Sequence, residues 1–126
     1  MTGDTTCGWT SNVYEFAYAG QISQTVTIPS GMTGTSFSLS YLLDFDDPNN
    51  DGAWNQFSAS VYDQTTGTYL GSGDFFSGLS GDLACSNRGW SWTGSLAGHT
   101  LQVLFSGSKA YPNTHIRIRN IVLYQH

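Results

Sequence analysis

The segment from Ser36 to Phe45 alternates between polar and apolar side chains, and this alternation constrains the possible fold more than any other feature. Serines and Asp44 fill most positions between the apolar residues, which are Phe37, Leu39, Tyr41, Leu43 and Phe45. Successive side chains of a β-strand point to opposite faces of a sheet. The segment therefore predicts a strand with one buried face.

The same two-residue period recurs along the chain, at Gln21–Ile28, Trp54–Asp63 and Thr100–Ser106, with a last strand from Thr114. Glycine, proline and asparagine separate these runs, and no segment has a helical period. Several short strands without helices predict an all-β fold, a two-sheet antiparallel β-sandwich that occupies residues 1–126 as a single domain.

Two segments depart from simple alternation. Residues 71–89 are dense in glycine and serine, and we interpret them as a long loop or as two short edge strands. In the last strand Ile116 and Ile118 share one parity, whereas Ile121 and Leu123 have the opposite parity. A continuous core requires one extra residue between these pairs, which predicts a β-bulge near residues 119–120.

Composition excludes several classes of partner. The chain has nine acidic residues, four lysines and arginines, and a net charge of −5, so a nucleic acid or an anionic membrane is not an expected partner. No apolar run is long enough to span a bilayer. Few lysines, many Gly, Ser and Thr residues and many aromatics suggest a secreted protein. Cys7 and Cys85 then form either one disulfide or two buried free thiols.

Five segments resemble motifs of bacterial jelly-roll carbohydrate-binding modules. Gly94–Phe105 is similar to the family's "L-x-x-Y-A-G-x-x-V-x-L-x-F" strand, and Ile116–Leu123 to its closing "y-I-D-[DN]-V-x-L". Tyr18–Val26 is similar to "G-x-I-x-Q-T-V", Ser36–Tyr41 to "f-x-L-S-Y", and Asp51–Phe57 to "D-x-W-x-x-F". The resemblance implies a jelly-roll sandwich like that of galactose-binding domains, usually non-catalytic and often joined to a secreted catalytic domain.

Calcium binding has one argument against it and one for it. Many modules of the family hold structural Ca²⁺ through the Asp of "I-D-[DN]-V", and Arg119 stands at that position here. The loop after Phe45, however, matches the first half of a calcium loop, with Asp47, Asn49 and Asp51 as candidate ligands. A hairpin loop made of turn-forming residues explains the same composition.

Sugar recognition requires flat aromatic faces next to amide, carboxylate or guanidinium groups. Such groups occur in the strand that begins at residue 54, in the segment 87–92, in the loop 111–113 and on the last strand. The candidate ligand-binding residues are Trp54, Gln56, Tyr62, Arg88, Trp90, Trp92, Tyr111, Asn113 and Arg117. Some of these residues have an alternative interpretation that involves no ligand. The tryptophans could fill the ends of the sandwich, and Arg117 could balance the charge of neighbouring carboxylates.

The sequence predicts a carbohydrate-binding domain that is not an enzyme. A glycosidase needs two placed carboxylates, but Glu15 is the only Glu, and no nucleophile elbow or His pair with metal spacing occurs. The main alternative is a protein-interaction or adhesion domain of the same fold. A small hydrolase would require Glu15 and an Asp to face each other across a cleft.

Overall fold

The computed structural model describes residues 14–16, 18–48, 55–78, 81–109 and 111–125, without the side chains of 81–85. These residues form nine strands and no helix that could cross a membrane. The strands are β1 (Tyr14–Glu15), β2 (Ala19–Thr27), β3 (Ser36–Asp47), β4 (Gln56–Asp63), β5 (Thr68–Tyr69), β6 (Asp74–Ser77), β7 (Gly81–Thr93), β8 (Thr100–Ser108) and β9 (His115–Gln125).

The strands pair into two antiparallel sheets. The first sheet has the order β1-β9-β3-β7, and the second has the order β2-β8-β4-β5, with β6 also paired to β4. All of these pairings are antiparallel. The predicted all-β architecture of two antiparallel sheets is therefore confirmed.

Alternate side chains of both sheets meet in one core. The inward residues of β3 are 0–2% exposed, and Phe57, Val61, Leu101 and Phe105 of the second sheet are equally buried. Aromatic rings join the two layers, since the Tyr41 ring lies 5.2 Å from Phe105 and 5.7 Å from Phe57. Burial of a large apolar side chain contributes roughly 1.5–3 kcal/mol, so this alternation stabilises the sandwich and fixes which side chains point outward.

The segment 71–89 is more regular than the sequence suggests. Residues 74–77 form the short strand β6, but Leu83 and Ala84 belong to the 13-residue strand β7, which pairs with β3 along its length. Of the two interpretations of this segment, two edge strands rather than a long loop are confirmed, but the strand through residues 83–85 is much longer than predicted. Glycines and serines hide the period of β7, and its order comes from hydrogen bonds to β3, a partner more than 30 residues away in sequence.

The predicted β-bulge in the last strand is confirmed. The pairing of β3 with β9 shifts between Ser40 and Leu42, and Asn120 has a φ of 53°, a conformation that asparagine tolerates better than most residues. The bulge places Leu123 opposite Leu39. Ile121 nevertheless stays 42% exposed, because it lines an open apolar groove of about 290 Å³ between the sheets.

A buried carboxylate connects two turns at one end of the sandwich. Asp63 is 1% exposed and accepts hydrogen bonds from the backbone N–H groups of Thr65 (3.0 Å) and Thr66 (3.4 Å). Its Oδ2 lies 2.8 Å from Nδ1 of His99 in the turn before β8. Burial raises the pKa of Asp63, but the hydrogen bonds from His99, Thr66 and the backbone outweigh it and lower the pKa overall.

We predict that Asp63 makes the domain acid-sensitive. Because its pKa is lower in the folded state than the usual 3.8, its stabilisation is present above that value and is lost as pH falls from about 5 through the folded pKa. Asp63→Asn should reduce the free energy of unfolding by about 1–3 kcal/mol at neutral pH and by less in acid. Urea unfolding at several pH values measures this, and parallel pH profiles for the two proteins would contradict it.

We also predict that Gly89 is required for the pairing of β7 with β3. It has a φ of 146°, and a Cβ built there would overlap the backbone oxygen of Leu39. Gly89→Ala should therefore destabilise the fold by more than about 2 kcal/mol. Gly94→Ala is the matched control, because a Cβ at Gly94 meets no atom within 4 Å. Denaturant unfolding that places both variants close to the wild type would refute this role.

Candidate functional site

The outer surface of the second sheet is a continuous polar face. On β2, β8 and β4, every second side chain points away from the core, and residues of β5 and β6 extend the surface at its margin. We call this surface the polar sheet face. Its members are Gln21, Ser23, Thr25, Gln56, Ser58, Ser60, Tyr62, Tyr69, Phe75, Gln102, Leu104 and Ser106.

Strand register brings four of these side chains into one row. Gln21 lies opposite Ser106, which lies opposite Ser58, which lies opposite Phe75. The hydroxyl oxygens of Ser58 and Ser106 are 2.6 Å apart, so one donates a hydrogen bond to the other. The row borders a depression of about 460 Å³ that Gln56 also lines. The depression thus offers amide and hydroxyl groups beside an aromatic ring.

Two exposed aromatic side chains stand at the margin of the polar sheet face. Phe75 on β6 is 68% exposed and Tyr69 on β5 is 66% exposed. Tyr69 packs edge-to-face against Tyr62, with ring centroids 4.9 Å apart, and this contact restrains both rings. Exposed rings of this size contribute little to a core, but their flat faces can pack against the C–H groups of a ligand.

The polar sheet face is electrically neutral. None of its described positions holds Asp, Glu, Lys, Arg or His, although the chain carries a net charge of −5. Asp63 and Asp74, which flank it in sequence, pair with Leu101 and Ala59 at inward positions. A ligand on this face would meet hydroxyl, amide and aromatic groups and the side chain of Leu104, but no charged group.

Sequence reasoning identified part of this face. Gln56 and Tyr62 lie on it, on the outward side of β4 as predicted, and Trp54 lies outside the described residues. The prediction missed Phe75 and Tyr69, because their placement depends on pairing with Ser58 and Tyr62. It also missed Gln21 and Ser106, although the alternation of β2 and β8 could have assigned both to an outward side.

Three other predicted residues lie on the inward side of β7. Trp90 and Trp92 share that side as expected, with ring centroids 6.3 Å apart. Trp92 is 8% exposed and stacks on Phe37, which favours the alternative interpretation that it packs in the sandwich core. Trp90 is half-buried, and Arg88 lies over the ring of Phe76 at 4.9 Å.

Arg117 is engaged in ion pairs on the outer surface of the first sheet. Its Nε donates to Glu15 Oε1 at 2.8 Å, and its Nη1 lies 3.5 Å from Asp44 Oδ2. Glu15 Oε2 is also 2.7 Å from Nδ1 of His115. Burial raises the pKa of Glu15, but these partners lower it overall. Because Arg117 is only 9% exposed and is paired with two carboxylates, the structure favours the alternative interpretation that it balances their charge.

The remaining candidate residues are in loops. Tyr111 and Asn113 are exposed between β8 and β9. Of the three candidate calcium ligands, Asn49 and Asp51 lie outside the described residues. The carboxylate of Asp47 is 2% exposed and accepts hydrogen bonds from Asn55 Nδ2 and Thr114 Oγ1, both at 3.2 Å.

Two predictions depend on residues that the structure does not describe. Across the described residues there is no group of three His, Cys, Asp or Glu side chains that could hold a metal ion. Calcium binding stays a prediction, because two of its three proposed ligands lie outside that part of the chain. The disulfide also stays a prediction, since Cys7 and the side chain of Cys85 lie outside it.

Comparison with solved structures shows what this fold is similar to. A family 16 carbohydrate-binding module matches with a TM-score of 0.51 and 11% identity, over 93% of this chain and 79% of the module. The enzymatically active domain of tailspike protein 4 from bacteriophage CBA120 matches with a TM-score of 0.52 and 15% identity. That match covers 86% of this chain but 14% of the tailspike chain.

No family model and no curated protein sequence matches the chain. At identities of 11% and 15%, the structural matches establish the β-sandwich fold and nothing finer. Function must therefore be argued from the side chains on the surface of the sandwich.

Proposed function

We propose that this chain is a non-catalytic carbohydrate-binding domain that holds a neutral glycan on the polar sheet face. The observation that carries the proposal is the composition of that face: amide and hydroxyl groups in register across three strands, exposed aromatic rings at one margin, and no charge. Phe75 and Gln56 are the residues on which the proposal depends most.

The chemistry of a pyranose suits these groups. Its axial C–H groups form an apolar patch that packs on an aromatic ring, while its hydroxyls both donate and accept hydrogen bonds. Gln21 and Gln56 can donate and accept in the same way, beside Phe75. A neutral ligand loses no ionic solvation when it binds there, so no buried counter-charge is needed.

The dimensions of the face favour a chain over a single sugar. The row that contains Phe75 and the row that contains Tyr69 are four residues apart along β4, since Phe75 pairs with Ser58 and Tyr69 with Tyr62. Four residues of a strand span about 13 Å. Several linked sugar rings could therefore contact both aromatic residues at once, which supports a polysaccharide as the ligand.

The surroundings of the site support a binding role without catalysis. A neighbour of the same fold is a carbohydrate-binding module. The only Glu of the chain, Glu15, is paired with Arg117 and His115, away from the polar sheet face. We further propose that the domain is secreted and accompanies a catalytic or surface domain, as the composition and the resemblance to secreted modules suggest.

We predict that Phe75→Ala weakens binding of a neutral polysaccharide at least about tenfold, because it removes the stacking surface. Gln56→Ala should have a smaller effect of the same sign. Affinity electrophoresis against a panel of plant, algal and bacterial polysaccharides identifies the ligand, and calorimetry measures the change. Since Phe75 is 68% exposed, the free energy of unfolding of the Phe75→Ala variant should stay within about 1 kcal/mol of the wild-type value.

Tyr124→Ala is the matched control for this experiment. Tyr124 is also an exposed aromatic residue, but it lies on β9 of the first sheet, where it pairs with Ser38. Its substitution should leave binding of the neutral glycan unchanged. Retention on no polysaccharide of the panel, or equal losses in the two variants, would refute the proposal.

A protein-interaction domain of the same fold is the second candidate function. The observation that favours it is the exposed apolar end of β9, where Ile121, Val122 and Tyr124 are 42–46% exposed beside the apolar groove. Three partly exposed side chains fall short of the roughly 800 Å² per partner that a stable interface buries. Glycan binding remains the better-supported function.

We therefore predict that the domain is monomeric at the concentrations used for glycan binding. Light scattering coupled to size exclusion measures this directly. A stable dimer that Val122→Asp converts to monomer would favour the second candidate instead, because Val122 points outward from β9 opposite Ser40. If that dimer binds the glycan with the same affinity as the monomeric Val122→Asp variant, the proposal of glycan binding still holds.

A further inference from the structure

A second cleft lies at the edge of the sandwich, where β6 of the second sheet faces β7 of the first. We call it the edge cleft. It has a volume of about 590 Å³, and its lining includes Asp74 and Phe76 from β6 and Arg88 and Trp90 from β7. It shares no lining residue with the depression on the polar sheet face. Phe75 and Phe76 are consecutive and therefore point to these two different places.

Arg88 is held in a defined position in this cleft. Its guanidinium carbon lies 4.9 Å from the centroid of the Phe76 ring, a cation–π contact. Phe76 is in turn stacked on the buried Phe57, with centroids 6.2 Å apart and an interplanar angle of 22°. A planar guanidinium fixed on a ring keeps its N–H donors directed along its edge, where they can meet a planar acceptor.

The guanidinium of Arg88 has no hydrogen-bond or ion-pair partner within the described part of the chain. Its Nε is buried without an acceptor, and no hydrogen bond or ion pair involves its guanidinium there. Arg117, in contrast, is paired with two carboxylates. A donor that is buried without an acceptor destabilises a protein. Nε is too enclosed for a ligand atom to reach it, so an acceptor from a ligand must approach the terminal nitrogens of the guanidinium.

Trp90 forms an apolar wall beside Arg88, two residues along the same side of β7. Its indole N–H donates to the backbone oxygen of Leu70 at 2.9 Å. Gly71 has a φ of 70°, and a Cβ there would overlap the indole ring, so the backbone packs directly on Trp90. The ring is therefore oriented in advance of any ligand and stays half-exposed toward the cleft.

Asp74 supplies a carboxylate to the cleft, and one of its two oxygens already accepts a hydrogen bond. Its Oδ2 accepts a hydrogen bond of 2.6 Å from the Tyr41 hydroxyl. Burial, followed by this hydrogen bond, raises the pKa of Tyr41 above its usual range, so the hydroxyl stays protonated and keeps donating. Asp74 repels an anionic group placed directly beside it, but it can accept a hydrogen bond from a neutral hydroxyl of a ligand whose own carboxylate lies at Arg88.

We infer that the edge cleft binds a uronic acid residue of a glycan, with the two terminal nitrogens of Arg88 donating to the two carboxylate oxygens. Trp90 packs against the ring carbons, and Asp74 accepts a hydrogen bond from a sugar hydroxyl. A bidentate pair of this kind is the strongest contact that a guanidinium makes with an oxyanion. The inference takes from the proposed function only that the ligand is a glycan, because the site is separate from the polar sheet face.

The test compares oligogalacturonate with the same oligomer after methyl esterification, which removes the charge and keeps the ring. Calorimetric or NMR titration of the wild type should detect binding of the acidic oligomer that is at least about tenfold tighter than that of its ester, and that weakens with added salt. Arg88→Gln should weaken acid binding about tenfold or more. Arg88→Lys should also weaken it, since an ammonium lacks the planar pair of donors.

Lys109→Gln is the control for charge, because it removes one positive charge outside the edge cleft. It should bind oligogalacturonate as the wild type does. Thermal unfolding verifies that each variant is folded. If Arg88→Gln does not fold, Arg88→Lys still tests the inference. Acid binding that survives both Arg88 substitutions, or a wild type that does not bind oligogalacturonate, would overturn the inference.

Two further experiments distinguish this inference from a sulfate-binding site and from the proposed site for a neutral glycan. A sulfated galactan oligomer that binds in place of oligogalacturonate would contradict the carboxylate assignment. Phe75→Ala should lose binding of the neutral glycan and retain binding of the acid, whereas Arg88→Gln should do the reverse. The failure of one site in these assays is therefore distinguishable from the failure of the other.

Discussion

The packing of aromatic rings between the two sheets determines the rest of the structure. Tyr41 from the first sheet meets Phe57 and Phe105 from the second, and all three are 1–2% exposed. Because a strand alternates its side chains, burying these rings sends the intervening residues outward. A slip of one residue in β4 or β8 would bury Ser58 or Ser106 and expose Phe57 or Phe105.

This constraint produces two chemically different surfaces. On the second sheet the outward positions are neutral, and they align across strands into rows such as the one from Gln21 to Phe75. On the first sheet the outward positions include Arg117, which is paired with Glu15 and Asp44. Among the described residues, the outward side of the second sheet carries no charge, whereas the outward side of the first sheet carries these ion pairs, and that separation underlies the proposed function.

Much of the fold could be predicted from the sequence, because its signals are local. The alternation of polar and apolar residues in β3 predicted its buried face, and the change of parity between Ile118 and Ile121 predicted the bulge. The strand β7 could not be predicted, since its glycines and serines carry no period and its order depends on β3. Local alternation predicts which strands have a buried side, but not which distant strand forms hydrogen bonds with their backbone N–H and C=O groups.

The candidate sites were predicted less completely, for the same reason. Gln56 and Tyr62 follow from alternation within one strand, whereas Phe75 reaches the polar sheet face only through its pairing with Ser58. The ion pair between Arg117 and Glu15 joins residues about a hundred positions apart, which no local pattern encodes. Trp92 was identifiable as a large aromatic residue, but its burial depends on contact with Phe37.

Binding of a neutral glycan on the outward side of the second sheet can be mapped residue by residue. Backbone NMR titration with a neutral oligosaccharide taken from a retained polysaccharide tests it most directly, because every described strand reports separately. We expect the largest changes in amide chemical shift on β2, β4, β6 and β8, around Gln21, Ser58, Phe75 and Ser106. Changes confined to β3, β7 and β9, with these four residues unaffected, would contradict it.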